Sequence, residues 1–200
     1  MKLSFAKLNI TPTCPVPLSG FGKVRIAESV HDDIHARVFL FDNEKEEILW
    51  TQLDLVAIDQ YIIDLVLSKT GLKAHQVLLS ATHTHSGPGG TLSTHQGMLQ
   101  GMNPVFCDFN ADYCEFIADQ IANAVKELRT QLKESQVRIF KGTIHDLGTE
   151  RHDASLPCDH DLLVMEFSTE DRSVSSGRII AHSVSFATDI SPSDSLSAML

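Results

Sequence analysis

Two histidines one residue apart, His83 and His85, stand in the stretch where chemistry is most concentrated, Ala81-Thr82-His83-Thr84-His85-Ser86-Gly87-Pro88-Gly89-Gly90. On a strand, residues i and i+2 share a face. Both imidazoles are therefore expected to project together where the apolar run Val77 to Ala81, read as a buried central strand, passes into a loop. Imidazole ligates zinc and carries protons near neutral pH, so such a pair can hold a metal or move a proton. The glycines that follow remove side chains and let backbone approach a metal or a substrate closely. A His-x-His pair alone is more often a polar strand end with ordinary surface histidines. Its place before a glycine-rich turn is what marks it as a site.

Other polar residues have blander readings. Asp54 and Asp59 are candidates for a place near a metal, but Asp59 fits a helix cap equally well. His182 lies in an apolar run, Ile179-Ile180-Ala181-His182, and reads as a hydrogen-bonded structural histidine. Arg151-His152-Asp153, taken by itself, reads as a solvent-exposed charged loop.

The elements that must position these residues follow from periodicity and breakers. Strands are expected at 3–10, 34–41 and 48–58, the last two joined by a turn at Asp42-Asn43-Glu44-Lys45. Prolines at 12, 15 and 17 mark an extended loop between the first two. Asp59 is placed to cap a helix over 60–70 that Gly71 stops, and 76–82 reads as a strand. From His83 to Pro104 the chain is too rich in Gly, Ser, Thr and Pro to be regular, and loops of that length are usually functional or disordered. Asn110 then caps the clearest helix, with apolar residues recurring at helical spacing from Tyr113 to Leu132. Strands at 136–144, 161–168 and 177–187 complete the reading, the last two as a hairpin. The pattern predicts an α/β fold with mixed β-sheets and hairpins, helices packed on the outer faces, and not a doubly wound parallel sheet.

A net charge of -10 argues against a nucleic-acid binder and disfavours attraction to anionic membranes, though not a neutral lipid substrate. No run approaches the roughly 20 apolar residues of a membrane span, and the N-terminus lacks a secretory signal, so a cytoplasmic location is the expectation. The four cysteines, none in a Cys-x-x-Cys pair, then read as free thiols, with a Cys107–Cys114 pairing as the minor alternative.

The decapeptide from Ala81 to Gly90 resembles the signature of the neutral/alkaline, non-lysosomal ceramidases. Ile10-Thr11-Pro12 with Pro17-Leu18-Ser19-Gly20-Phe21-Gly22 is similar to that family's N-terminal loop, and His31 to Asp54 to its first paired strands. Glu150-Arg151 before Leu162-Leu163-Val164-Met165-Glu166-Phe167 resembles its arginine-bearing loop and the strand after it. The resemblance implies that residues 1–200 form the N-terminal portion of a ceramidase-like catalytic domain. It implies hydrolysis of an N-acyl amide in a ceramide-like lipid, with one Zn²⁺ held by two histidines, a glutamate and a tyrosine. By that resemblance His83 is the first ligand, while His85 and Arg151 line the site and stabilise the substrate or the developing oxyanion. The family's second histidine ligand lies in a Phe-Ala-x-His context. Here the stretch is Phe186-Ala187-Thr188-Asp189, which makes Asp189, through a carboxylate oxygen, the candidate second ligand. The glutamate and tyrosine are expected beyond residue 200, so the domain is expected to be incomplete and active only with a further C-terminal portion. The alternative is a non-catalytic relative that binds a ligand or partner on the same scaffold.

Overall fold

A computed structural model describes residues 1–93, 103–143, 161–169, 177–182 and 195–196. Strands β1 (Lys2–Asn9), β2 (Val16–Leu18), β3 (Arg25–Ala27), β4 (Ser29–Val30), β5 (His35–Asp42) and β6 (Glu47–Leu53) come first. Helix α1 (Gln60–Thr70), β7 (Val77–Ala81), the one-turn α2 (Asn103–Phe106) and α3 (Ala111–Leu128) follow. Then come β8 (Lys133–Thr143), β9 (Asp161–Thr169), β10 (Gly177–His182) and β11 (Ser195–Leu196). The chain forms two units, one from Lys2–Leu132 with Pro192–Leu200 and one from Met1 with Lys133–Ser191. No helix among the described residues is long and apolar enough to cross a membrane.

In the first unit the strand order is β1-β5-β6-β7. β1, β5 and β6 are antiparallel neighbours, with Asp42 opposite Glu47 across the turn expected from Asp42-Asn43-Glu44-Lys45. β7 returns parallel to β6 through α1, as a parallel crossover requires. Two-residue periodicity divides the sheet's side chains. Ala36, Val38 and Leu40 of β5 face α1 and α3 in one apolar core with Leu49, Leu53, Ile62, Val66, Ile117, Ile121 and Val125. Phe39 points the other way and clusters with Phe5 at 4.7 Å, Trp50 at 6.0 Å and Phe41 at 6.3 Å between ring centroids. Burying each large apolar side chain contributes about 1.5–3 kcal/mol, so this two-helix face is what fixes the sheet. β7 ends the strand order instead of lying centrally, and Leu78 is 54% exposed. An apolar run does not by itself distinguish a central strand from an edge strand.

Both helices carry the caps read from sequence. Asp59 accepts from the Tyr61 amide, and Gly71 closes α1 in the left-handed region. Asn110 accepts from Tyr113 N, and the Tyr113 hydroxyl donates to the Ile10 carbonyl at 2.7 Å, tying α3 to the end of β1. Lys69 of α1 bridges to Glu115 and Asp119 of α3, both at 2.8 Å. α3 stops at Leu128, short of the expected Leu132. Thr130 N and Gln131 N bond three residues back, to Glu127 and Leu128, which tightens the chain out of the helix, and Ser4 Oγ also donates to Leu128 O. β6 likewise ends at Leu53 and not at Ile58, because the chain bends at Asp54, whose side chain is buried. Among the described residues of the expected irregular stretch from His83 to Pro104, the short helix α2 begins at Asn103.

The second unit is an antiparallel sheet in the order β10-β9-β8. The expected hairpin of β9 with β10 is present, with Ile179 opposite Met165. β8 pairs along β9 with Ile139 opposite Met165. The fold is α/β with mixed pairing: β1–β5, β5–β6, β8–β9 and β9–β10 are antiparallel and β6–β7 is parallel.

Candidate active site

The His83–His85 pair is positioned by an extension of the β6–β7 ladder past the last formal strand residue. Thr82 N donates to Leu53 O at 2.9 Å and His83 N to Leu55 O at 3.0 Å, so the chain still runs alongside 53–56 when it reaches the first histidine. There it turns. His83 has φ 64, in the left-handed region, where a side chain costs roughly 1–2 kcal/mol. Its amide bond to Leu55 and a 2.7 Å contact of Nδ1 with the Val56 carbonyl oxygen hold that conformation. A carbonyl can only accept, so Nδ1 carries a proton, and in the neutral ring Nε2 is the bare nitrogen.

The two imidazoles meet edge to face, centroids 4.9 Å apart and planes at 79°, with Nε2 to Nε2 at 3.3 Å. Their juxtaposition was expected from strand alternation, but the strand ends at Ala81 and the left-handed turn at His83 is what brings the rings together.

The loop after the pair is tied on every side. Gly89 N donates to Pro17 O at 2.8 Å and Ser19 N to Gly87 O at 3.3 Å, fastening it to β2. Gly90 N donates to Phe106 O and Asn110 N to Gly90 O, both at 2.8 Å, fastening it to the α2–α3 connection. A side chain at Gly90 would strike the Asp108 carbonyl oxygen at 2.6 Å, so only glycine permits that approach. Thr91 Oγ1 donates to Ala57 O at 2.9 Å, and Ser93 donates to Asp59 Oδ2 from its amide at 2.6 Å and its hydroxyl at 2.7 Å. The prolines at 15 and 17 flank or lie in a small strand pairing, β2 with β3, where an extended loop was expected.

The nearby carboxylates serve this scaffold. Asp54 is fully buried, accepts from Arg37 Nη1 at 2.8 Å and from His35 N at 2.9 Å, and sets the bend that presents Leu55 and Val56 to His83. Asp59 is the cap of α1 and the anchor of Ser93. Burial, followed by the charges of Lys7 and Arg37, lowers the pKa of His35 below the usual histidine range. Burial also pushes the Cys114 thiol up to about 12, raises that of Cys107 and raises the Tyr113 phenol well above its ordinary value. Cys14, Cys107 and Cys114 are free thiols.

Residues 3–158 match the family model described as neutral/alkaline non-lysosomal ceramidase, N-terminal. The chain belongs to that family. Among the solved structures, the neutral ceramidase from Pseudomonas aeruginosa is 21% identical with a TM-score of 0.72, over 90% of this chain and 31% of that one. A second, a ceramidase complexed with C2, is 18% identical with a TM-score of 0.68, over 90% of this chain and 30% of that one. At these identities the structures establish the ceramidase fold, and the chain spans about a third of their length. No curated protein matches.

Of the four site residues expected for this ceramidase-family chain, the structure describes His83 and His85. Arg151 and Asp189 lie outside the described residues, and so does any position of theirs relative to the pair. Among the described residues no group of three or more His, Cys, Asp and Glu side chains could hold a metal. The donor chemistry at His83 nevertheless fits a metal ligand. Metal-bound histidines almost always donate their second ring N–H to a carbonyl or carboxylate, as His83 does to Val56. Sequence reasoning missed Val56, which acts only through its backbone carbonyl.

Proposed function

We propose that this chain contributes to a zinc-dependent amidase that hydrolyses the N-acyl bond of a ceramide-like lipid amide. The observation that carries the reading is the Nδ1 contact of His83 with Val56 O at 2.7 Å, which fixes the tautomer of the neutral ring and leaves Nε2, 3.3 Å from Nε2 of His85, as the nitrogen with the lone pair. Family membership supplies the reaction class, and this contact supplies a ligand prepared for a metal.

His83 would hold the zinc through Nε2, with Asp189 as a second protein ligand. When bound, zinc lowers the pKa of water and polarises a carbonyl. His85, whose Nε2 lies 3.3 Å from that of His83, would hold or release a proton at that nitrogen during amide cleavage. Arg151 would balance negative charge developing on the amide oxygen.

The test is metal content and turnover of the full-length protein, using a fluorescent N-acyl amide. His83→Ala is expected to lose both zinc and turnover. His85→Ala is expected to keep zinc and lose about 10²–10⁴-fold in kcat. Retention of zinc by His83→Ala would sink the ligand assignment. Zinc bound with no turnover on any N-acyl amide would leave a non-catalytic binding relative as the correct reading.

A further inference from the structure

We propose that the turn at Gly20-Phe21 is the positioning element for His85, with Arg25 bracing it from behind. This inference rests on the reading of His83 and His85 as the working pair, and it names the residues that set the distance between them.

The geometry begins with a missing side chain. A Cβ on Gly20 would lie 2.5 Å from Nδ1 of His85, 2.7 Å from Cγ and 2.8 Å from Cε1. The Gly20 backbone therefore lies directly against the Nδ1 edge of the imidazole, at a separation no other residue allows. Its φ of 95 lies in the left-handed region, which glycine enters without steric cost. The Gly20 amide donates to Val105 O at 2.6 Å, and Ser19 Oγ donates to the same carbonyl at 3.2 Å, so the turn is fastened to α2.

Phe21 closes a second side of the imidazole. Its ring meets that of His85 at 85° with centroids 5.8 Å apart, an arrangement in the favourable edge-to-face range. The Arg25 guanidinium lies 4.6 Å from the Phe21 centroid, close enough for cation–π attraction to restrain that ring. His83 forms a third side at 4.9 Å. With its Nδ1 edge against Gly20, the ring presents Nε2 to Nε2 of His83.

Such a cradle acts on the rate and not on substrate binding. Displacing a proton-carrying group by about 1 Å from its productive place can cost about 10²-fold in rate. Gly20 and Phe21 are positioning residues: they act through His85, and no substrate contact is assigned to them.

The experiment combines kinetics with NMR of ¹⁵N,¹³C-histidine-labelled full-length protein. Phe21→Leu is expected to move the His85 ring resonances and lower kcat by about 10–100-fold, with KM changed less than about twofold. Phe21→Tyr should restore both. Gly20→Ala is expected to abolish the ring-to-ring NOE between His83 and His85 while the Nδ1 proton of His83 stays hydrogen bonded. If Gly20→Ala fails to fold, the two Phe21 variants decide. Unmoved His85 resonances and unchanged kcat in Phe21→Leu would overturn the proposal. His85→Ala separates it from the reading beneath it. If that variant keeps full kcat, the catalytic role of His85 is wrong, and the His85 resonances of Phe21→Leu alone settle whether the cradle exists.

Discussion

His83 donates from Nδ1 to the carbonyl oxygen of Val56 at 2.7 Å, across 27 residues of chain. That bond chooses the tautomer of the ring, and the tautomer determines which nitrogen can bind a metal. Long-range ¹H–¹⁵N spectra of histidine-labelled protein should therefore show His83 protonated at Nδ1 and bare at Nε2 in the metal-free state. A spectrum with the proton at Nε2 would remove the structural basis for His83 as a ligand.

The Arg37–Asp54 pair, 2.8 Å apart, should matter to stability more than a surface ion pair would, because the carboxylate is fully buried. Arg37→Met leaves that charge without its partner. The expected loss lies near the lower end of about 3–5 kcal/mol, since the guanidinium is itself 26% exposed and solvent screens part of the interaction. Adding Asp54→Asn to Arg37→Met should recover part of the loss by removing the stranded charge. Urea unfolding curves measure both. A double variant no more stable than Arg37→Met would show that the backbone bond from His35 N, and not the charge, governs the site.

Asp59 makes two kinds of contact, capping α1 with Oδ1 and anchoring Ser93 with Oδ2. Asp59→Ala should cost about 1 kcal/mol for the cap and about 1 kcal/mol more for the released Ser93 groups. Asp59→Asn keeps a good cap and should cost clearly less. If Asp59→Ala is no worse than Ser93→Ala in urea midpoint, the cap contributes nothing and the helix start is held by packing alone.

Thiol chemistry should sort the cysteines by burial. With the Cys114 pKa pushed from an ordinary 9.0 to about 12, its thiolate fraction at about pH 8 falls to roughly one in 10⁴, and that of Cys107 is also reduced. Iodoacetamide on native protein should therefore label the half-buried Cys14 well before either of them. The sign of the linkage follows. Above the ordinary thiol pKa the unfolded chain releases protons that the folded chain retains. The stabilisation is thus present below 9.0 and is lost as pH rises toward about 12. Mass mapping after timed alkylation checks the labelling order, and labelling of Cys114 at the rate of Cys14 would contradict it.

What the sequence determined by itself was local. The cap residues Asp59 and Asn110, the stop at Gly71, the helical spacing of Ile117, Ile121 and Val125 and the turn after Asp42 each act within a few residues. Their physics therefore shows in a short window of sequence. The His-Thr-His-Ser-Gly-Pro-Gly-Gly motif was legible for the same reason, and with it the family. Tertiary structure decided the rest. Whether β7 lay in the middle or at the end of the strand order depended on which strands paired with β6, not on its own apolar run. The left-handed turn at His83 exists because Leu55 and Val56 offer it two carbonyls, and no window around residue 83 contains them. The cradle of Gly20 and Phe21 around His85 depends on a glycine fitting where a side chain would collide. That is a property of two distant segments brought together, and it cannot be read from either one alone.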